Sequence, residues 1–370
     1  MTNKIQQKLT IISYNNQYNF SLLSITIVNK EKKLGVSDLE TEILAQTHPG
    51  AQVETPKKLL AKTGNKDWLL LVLVQAFAFV LQFVLGLLIG LCYALQHKKP
   101  DMLSLQNTLS NPAITMLPTF AAELITFMIA RKLLKQKIGD HFRKPVVSSK
   151  FLSAGCIVAL GASCLGSLLV SVLQMLLSPT GFHFNMPVLL TTSDSNLIIL
   201  GILNVCVFAP ILEELLFRGF LLKSLLPYGS AFAIISSAVL FGVMHGNLMQ
   251  AIPTTLLGLV LAYIRVRANS IIPTIFIHSA NNILFVVFTL LPQSDTTEII
   301  SAVLFIVLIA AATVLFIINR KKIWLAKGHS EAEEMPAKKK AAAFYFQSVC
   351  FYVLAALFIF NTISLSIAKG

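Results

Sequence analysis

The feature that most constrains this chain is a series of nine long apolar segments between residues 68 and 367. A helix needs about 20 predominantly apolar residues to cross the hydrocarbon core of a bilayer, and these segments are close to that length. Pro, Gly and polar clusters separate most of them, which predicts separate helices. The predicted segments are 68–95, 112–130, 151–177, 197–226, 229–247, 248–264, 271–291, 298–319 and 341–367.

The composition supports the same interpretation. Only 13% of the residues are charged and the mean hydropathy is +0.73, whereas soluble domains carry about 25% charged residues. These values exclude an ordinary soluble protein, a disordered chain and a collagen-like fibre. We therefore expect an all-α fold, a polytopic transmembrane helix bundle of about nine helices.

The distribution of positive charge predicts the orientation. The net charge is +13, and 22 of the 30 Lys and Arg residues fall on the flanks that are cytoplasmic if the N-terminus is cytoplasmic. Cytoplasmic loops of membrane proteins carry this excess, so the charge does not indicate a nucleic-acid partner. The first 17 residues lack the apolar core of a signal peptide. We expect a multi-pass protein of a bacterial plasma membrane with a cytoplasmic N-terminus.

Residues 1–66 differ from the rest of the chain. Alternating apolar residues within 9–28 predict two short strands, and 37–46 predicts a helix that begins with a capping box. We interpret 1–66 as a small cytoplasmic appendage.

Ionisable residues inside a membrane are costly and mark functional sites. Three of the 17 acidic residues and two of the seven histidines fall well within apolar segments. Two of the glutamates share one stretch with an arginine, Glu213-Glu214-Leu215-Leu216-Phe217-Arg218. The third glutamate, Glu123, lies apart, and we assign it no role.

The spacing of these groups predicts which of them face each other. Glu214 and Arg218 are four residues apart on a helix, so they can pair, whereas Glu213 points about 100° away. His278 and Asn282 have the same spacing and share a face. We expect a polar cavity between three helices, lined by Glu213, Glu214, His245, His278 and Asn282.

A carboxylate beside an imidazole suits a general base acting on water. A second imidazole and an amide can donate hydrogen bonds to a developing oxyanion. Two histidines and a glutamate are also a zinc-ligand set, although the H-E-x-x-H signature is absent. The residues alone therefore leave open whether a metal takes part.

The expected depths of these groups do not coincide. Measured from the predicted inner end of each helix, Glu213 lies roughly 20 Å deep, His245 roughly 24 Å and His278 roughly 10 Å. Tilted or broken helices would be needed to bring them together.

Together these residues resemble the CPBP family of intramembrane proteases, which includes type II CAAX prenyl endopeptidases and bacteriocin-processing and self-immunity (Abi) proteins. The family motifs are E-E-x-x-x-R, F-x-x-x-H and H-x-x-x-N. They occur here, in order, as Glu213-Glu214 with Arg218, Phe241 with His245, and His278 with Asn282. The resemblance covers roughly residues 190–290.

The resemblance implies a role for each residue. Glu213 would activate the attacking water with help from His245 and Glu214, Arg218 would pair with a carboxylate, and His278 and Asn282 would form the oxyanion site. It implies a hydrolase acting on a membrane-embedded or lipid-anchored peptide or protein, such as a bacteriocin precursor. Family members are described both as metalloproteases and as metal-independent proteases. We expect no tightly bound metal, with a divalent metal such as zinc as the alternative.

Two other functions remain open: a non-catalytic membrane immunity or scaffold protein, and a proton-coupled transporter. On the protease interpretation the chain divides into four parts. These are the appendage 1–66, accessory transmembrane helices 67–190, a catalytic helix core 191–291, and C-terminal transmembrane helices 292–370.

Overall fold

The computed structural model of the protein describes residues 56–96, 112–180, 195–292, 294–325 and 343–366. All regular elements within these ranges are helices. The predicted all-α helix bundle is therefore confirmed, and the described residues all belong to one compact unit. The strands and the helix predicted within 1–66 lie outside the described residues.

In the ranges that the structure describes, nine main helices coincide with the nine predicted segments. They are α1 (Pro56–Gln96), α2 (Pro112–Leu133), α3 (Ser149–Leu177), α4 (the continuous helical stretch 195–225), α5 (Ser230–Met244), α6 (Leu248–Ala268), α7 (Ile272–Leu290), α8 (Asp295–Leu325) and α9 (Val349–Ser366). Helices α1, α3, α4, α6, α7 and α8 are long and apolar enough to cross a membrane. The chain is a multi-pass membrane protein.

Helix α4 is not a regular α-helix. The stretches Asn204–Phe208 and Leu215–Leu221 have π-helical geometry and lie on either side of the α-helical turn Ala209–Glu214. The first wide turn precedes Pro210, which has no N–H to donate. Such π-bulges are frequent at functional sites, and these two lie on either side of the glutamate pair.

Helices α5 and α6 form a tight hairpin. With 15 residues, α5 is about 22 Å long, so it is too short to cross a hydrocarbon core of about 30 Å as a straight helix. Gly246 turns the chain at a φ of +74°, and the Asn247 side chain accepts a hydrogen bond from the Gln250 N–H at the start of α6.

Glycines set the distances between helices around this hairpin. A Cβ on Gly242 of α5 would overlap the Thr255 hydroxyl of α6. A Cβ on Gly258 of α6 would lie 3.2 Å from Ala238 Cα and 3.2 Å from Arg218 Nη2. Small residues of this kind let membrane helices approach closely, and here they bring α6 against the charged part of α4.

A buried polar cluster joins α1 to the chain just before α9. The Tyr345 hydroxyl donates to Asp67 Oδ2 at 3.0 Å, and the Trp68 indole N–H donates to the Tyr345 carbonyl at 3.1 Å. All three residues are fully buried. This cluster fixes the C-terminal part of the bundle to α1.

Candidate active site

The centre of the site is an ion pair within α4. Arg218 Nη1 lies 2.8 Å from Glu214 Oε1, and both side chains are fully buried. His278 on α7 donates from Nδ1 to the same Glu214 oxygen at 3.0 Å. Because an ionised carboxylate only accepts hydrogen bonds, this contact places a proton on Nδ1 of His278.

Glu213 faces the other side of the same imidazole. Its Oε2 lies 3.6 Å from His278 Nε2, and its side chain is 10% exposed. The two adjacent glutamates thus approach opposite nitrogens of one histidine ring. Glu214 is fully enclosed, whereas Glu213 retains a small accessible surface.

His245 is the first residue after α5. Its Nδ1 lies 2.9 Å from the Phe241 carbonyl. Since a carbonyl only accepts, Nδ1 carries the hydrogen, and in the neutral ring Nε2 keeps a free lone pair. The Gln75 amide of α1 donates to the Met244 carbonyl, so a second helix holds the chain immediately before His245.

The ring of Phe241 connects the members of the site. The Arg218 guanidinium carbon lies 4.2 Å from its centroid, a cation–π contact. The rings of His245 and His278 meet it edge-on at 5.1 and 5.5 Å. The phenylalanine of the F-x-x-x-H pattern is therefore the apolar centre around which arginine and both histidines are arranged.

Asn282 bonds to the irregular part of α4. Its Nδ2 donates to the Val205 carbonyl at 2.8 Å, and its Oδ1 accepts from Asn281 at 3.2 Å. The Ala209 N–H bonds to the Asn204 carbonyl five residues earlier, and the next N–H in this pattern would belong to residue 210. Because residue 210 is proline, the Val205 carbonyl lacks that partner, and the Asn282 amide takes its place.

The mismatch in depth between Glu213 and His278 disappears in the structure. The Ile271 N–H, at the start of α7, donates to the His141 carbonyl at 3.0 Å, and the His141 ring packs beside Gly219 of α4. Helix α4 continues past this level by two more turns. Measured from it, Glu213 lies six residues away, about 9 Å, and His278 seven residues, about 10 Å.

Two residues outside the three motifs, His141 and Glu123, are buried in the structure. His141, in the segment between α2 and α3, is fully buried, and neither ring nitrogen has a hydrogen-bond partner among the described residues. Glu123 on α2 is 7% exposed and interacts electrostatically with Glu213. The position of Glu123 inside an apolar segment was the sequence signal for a functional role, but Glu123 lies outside the three motifs.

The pKa values outside the spanning helices reflect their surroundings. Burial lowers the pKa of His141 to about 4, and the positive charges of Lys223 and Arg265 act in the same direction. Asp140 accepts a hydrogen bond from Lys223 Nζ at 3.3 Å, which lowers the pKa of that carboxyl.

The described residues do not fit a three-ligand metal site. No three side chains of His, Cys, Asp or Glu in the described ranges are grouped closely enough to hold a metal ion. A catalytic zinc of the usual kind takes three protein ligands.

The site can combine three chemical functions: a partly accessible carboxylate, a histidine with a free lone pair, and a histidine held by a buried ion pair. The residues predicted from the sequence lie on α4, at the end of α5 and on α7, and His278 contacts both glutamates directly.

Comparisons with known proteins point to the same helices. Residues 195–284 match the family model described as Type II CAAX prenyl endopeptidase Rce1-like. Neither the curated proteins nor the solved structures gave a match to the chain. The matched range contains α4, α5, α6 and the part of α7 that carries His278 and Asn282. This match covers all three motifs and confirms the resemblance to the CPBP intramembrane proteases.

Proposed function

We propose that this protein is an intramembrane endopeptidase of the CAAX-protease type, which hydrolyses peptide bonds of a membrane-embedded or lipid-anchored peptide or protein. The observation that carries the proposal is the arrangement of Glu213 and Glu214 on opposite nitrogens of His278, with Glu214 paired to Arg218. One carboxylate is thereby used for structure, and the other stays available for chemistry.

Glu213 is the general base in this mechanism. A water molecule beside it gives its proton to the Glu213 carboxylate while its oxygen attacks the peptide carbonyl carbon. His245 presents the Nε2 lone pair, which accepts the other O–H of this water and holds it in place. When the C–N bond breaks, the proton on Glu213 passes to the leaving amine.

His278 and Asn282 stabilise the negative charge that develops on the substrate oxygen. In its protonated form His278 donates through Nε2–H while Nδ1–H remains bound to Glu214. Asn282 uses one amide hydrogen for the Val205 carbonyl, and its second hydrogen is directed to the oxyanion. The Arg218–Glu214 pair fixes the orientation of His278 and does not contact the substrate.

We propose further that the site works without a tightly bound metal and that the N-terminus is cytoplasmic in a bacterial plasma membrane. The first point is tested by metal analysis of the purified protein and by activity after chelation. Loss of cleavage with a chelator and its return with zinc would favour the alternative. The orientation is tested by the accessibility of single cysteines introduced at either end.

The function is tested by comparing the membrane peptides of cells that express the wild type or Glu213→Gln. The matched control is Glu298→Gln, since Glu298 is an exposed carboxylate on α8. We expect cleavage products that disappear with Glu213→Gln, at normal protein levels, and persist with Glu298→Gln. Identical peptides in all three strains would overturn the protease proposal. A phenotype retained by Glu213→Gln would favour a scaffold, and proton-coupled uptake lost with it would favour a transporter.

A further inference from the structure

The carboxyl of Glu123 is the strongest candidate for a function outside the three motifs. Its side chain comes from α2, which lies outside the range that matches the peptidase family. The residue is 7% exposed, and its Oε2 has no hydrogen-bond partner among the described residues. A buried carboxyl without a partner is costly, so its retention next to the site requires an explanation.

The contacts between α2 and α4 place Glu123 at the level of Glu213. The ring of Phe120 lies 5.9 Å from that of Phe208, and the ring of Phe127 stacks on that of Phe220 at 5.5 Å. Glu123 lies between these two contacts and on the same helix face, three residues after Phe120 and four before Phe127. The part of α4 between the two contacts contains Glu213, and the two carboxyl groups interact electrostatically.

Two carboxylates close together in an apolar environment do not both ionise readily, and such pairs hold one proton between them. The neighbours of each group decide where this proton lies. Glu213 has the His278 imidazole at 3.6 Å and the Arg218 charge on its own helix. Glu123 Oε2 has no hydrogen-bond partner among the described residues, whereas His278, Glu214, Arg218 and His245 lie on the α4, α5 and α7 side of the site.

We propose that Glu123 is a positioning residue of the hydrolytic site: its protonated carboxyl donates a hydrogen bond to Glu213, directly or through one water, and keeps Glu213 ionised and oriented as the base. This inference rests on the proposed function. The base takes one proton from water and returns it to the leaving amine, so the proton on Glu123 stays in place through the cycle.

The proposal distinguishes two substitutions of the same residue. Glu123→Gln keeps a neutral hydrogen-bond donor of nearly the same shape, whereas Glu123→Leu removes it. We expect Glu123→Gln to retain activity and Glu123→Leu to lose about 10- to 100-fold in kcat/KM, the size of a hydrogen bond to a charged group. Leu124→Ala, at an exposed neighbouring position on α2, controls for disturbance of the helix.

The pH profile separates this role from simple packing. In the wild type, ionisation of Glu123 at high pH removes the donor and adds a repelling charge, so kcat/KM falls on the alkaline side. An amide does not ionise, and we therefore expect Glu123→Gln to lose this alkaline decline. An unchanged alkaline limb in Glu123→Gln, or equal loss of activity in Glu123→Gln and Glu123→Leu, would overturn the proposal.

A second measurement does not depend on activity. Infrared titration of the protein in lipid nanodiscs detects the C=O stretch of a protonated buried carboxyl. We expect such a band at neutral pH in the wild type and in Glu213→Gln, and its loss in Glu123→Gln. If the wild type shows this band but has no cleavage activity, the protease proposal fails, while the protonation of Glu123 is still supported. If cleavage occurs and the band is absent, Glu123 is not protonated and the inference about Glu123 is overturned.

Discussion

Helices α4 and α8 are both long and apolar enough to cross a membrane, yet they differ in what surrounds them. In α8 many large apolar side chains point outward: Ile299, Ile306 and Ile318 are 63%, 63% and 69% exposed. In α4, all seven residues of the stretch Leu215–Leu221 are buried, including the charged Arg218. Hydropathy detects both helices but does not distinguish the one that faces lipid from the one that faces protein.

The difference teaches what holds the core of this protein together. Lipid tails are as apolar as leucine, so apolar surface alone gives little reason for helices to associate within a bilayer. Around α4 the association relies on directional contacts: the Glu214–Arg218 ion pair, the His278 hydrogen bond, the Asn282 amide and the rings around Phe241. The groups that perform the proposed chemistry are thus also those that fix the helices.

The largest effect is expected from removing the arginine of this core. Arg218→Met leaves Glu214 buried without its cation, and breaking a buried pair in this way costs about 3–5 kcal/mol. The matched variant is Arg320→Met, which removes an exposed arginine from α8. We expect Arg218→Met to accumulate poorly or to lower the thermal midpoint strongly in detergent, and Arg320→Met to leave that midpoint nearly unchanged. Equal midpoints for the two variants would contradict the conclusion that the buried ion pair of α4 stabilises the protein more than the exposed arginine of α8.

The sequence was sufficient to predict the class of fold and the approximate position of each main helix in the described ranges, because a bilayer imposes length and apolarity directly on the residues. It also identified Glu214 and Arg218 as a pair, because spacing on one helix is a local property. The relative depths of α4 and α7 were not predictable. They depend on the contact of His141 with Gly219 and with the start of α7, which lies between segments far apart in the chain.

The role of Asn282 was also only partly predictable from the sequence. Its spacing from His278 predicts a shared face, but its bond to Val205 depends on the wide turn that Pro210 imposes on α4. Glu123 shows the same limit. An isolated glutamate in an apolar segment indicates a function, but only the packing of α2 on α4 shows which group it faces.

An intermediate effect tests the link between Pro210 and Asn282. Asn282→Ala removes the donor to the Val205 carbonyl and is expected to cost about 1–3 kcal/mol, the cost of an unpaired buried acceptor. Pro210→Ala supplies an N–H that this carbonyl can accept. In the Pro210→Ala background, Asn282→Ala should therefore be less destabilising, with a coupling of about 1 kcal/mol in a double-mutant cycle.

The control for this cycle lies on α8. Asn319 donates to the Leu315 carbonyl of its own helix at 2.8 Å, so its amide supplements an existing backbone bond and does not replace a missing one. Asn319→Ala should cost about 0.5 kcal/mol or less, and this cost should be the same in the wild type and in the Pro210→Ala background. If the two asparagines respond equally to Pro210→Ala, the amide of Asn282 does not compensate for the proline.

The smallest effect concerns the inner end of α4, where His141 packs against Gly219 and Phe220. Its pKa is lowered to about 4, so the folded protein keeps the ring neutral while the unfolded chain binds a proton below pH ~6.5. Stability from this residue is therefore complete above pH 6.5 and falls as the pH drops from 6.5 towards 4, by at most about 1.4 kcal/mol per pH unit. The low pKa of Asp140 acts only below its ordinary range of about 4, so it does not contribute between pH 7 and 5.

His141→Gln should remove most of the loss in thermal midpoint between pH 7 and pH 5 in detergent. An equal loss in wild type and variant would mean that another group of the α4 region takes up the proton.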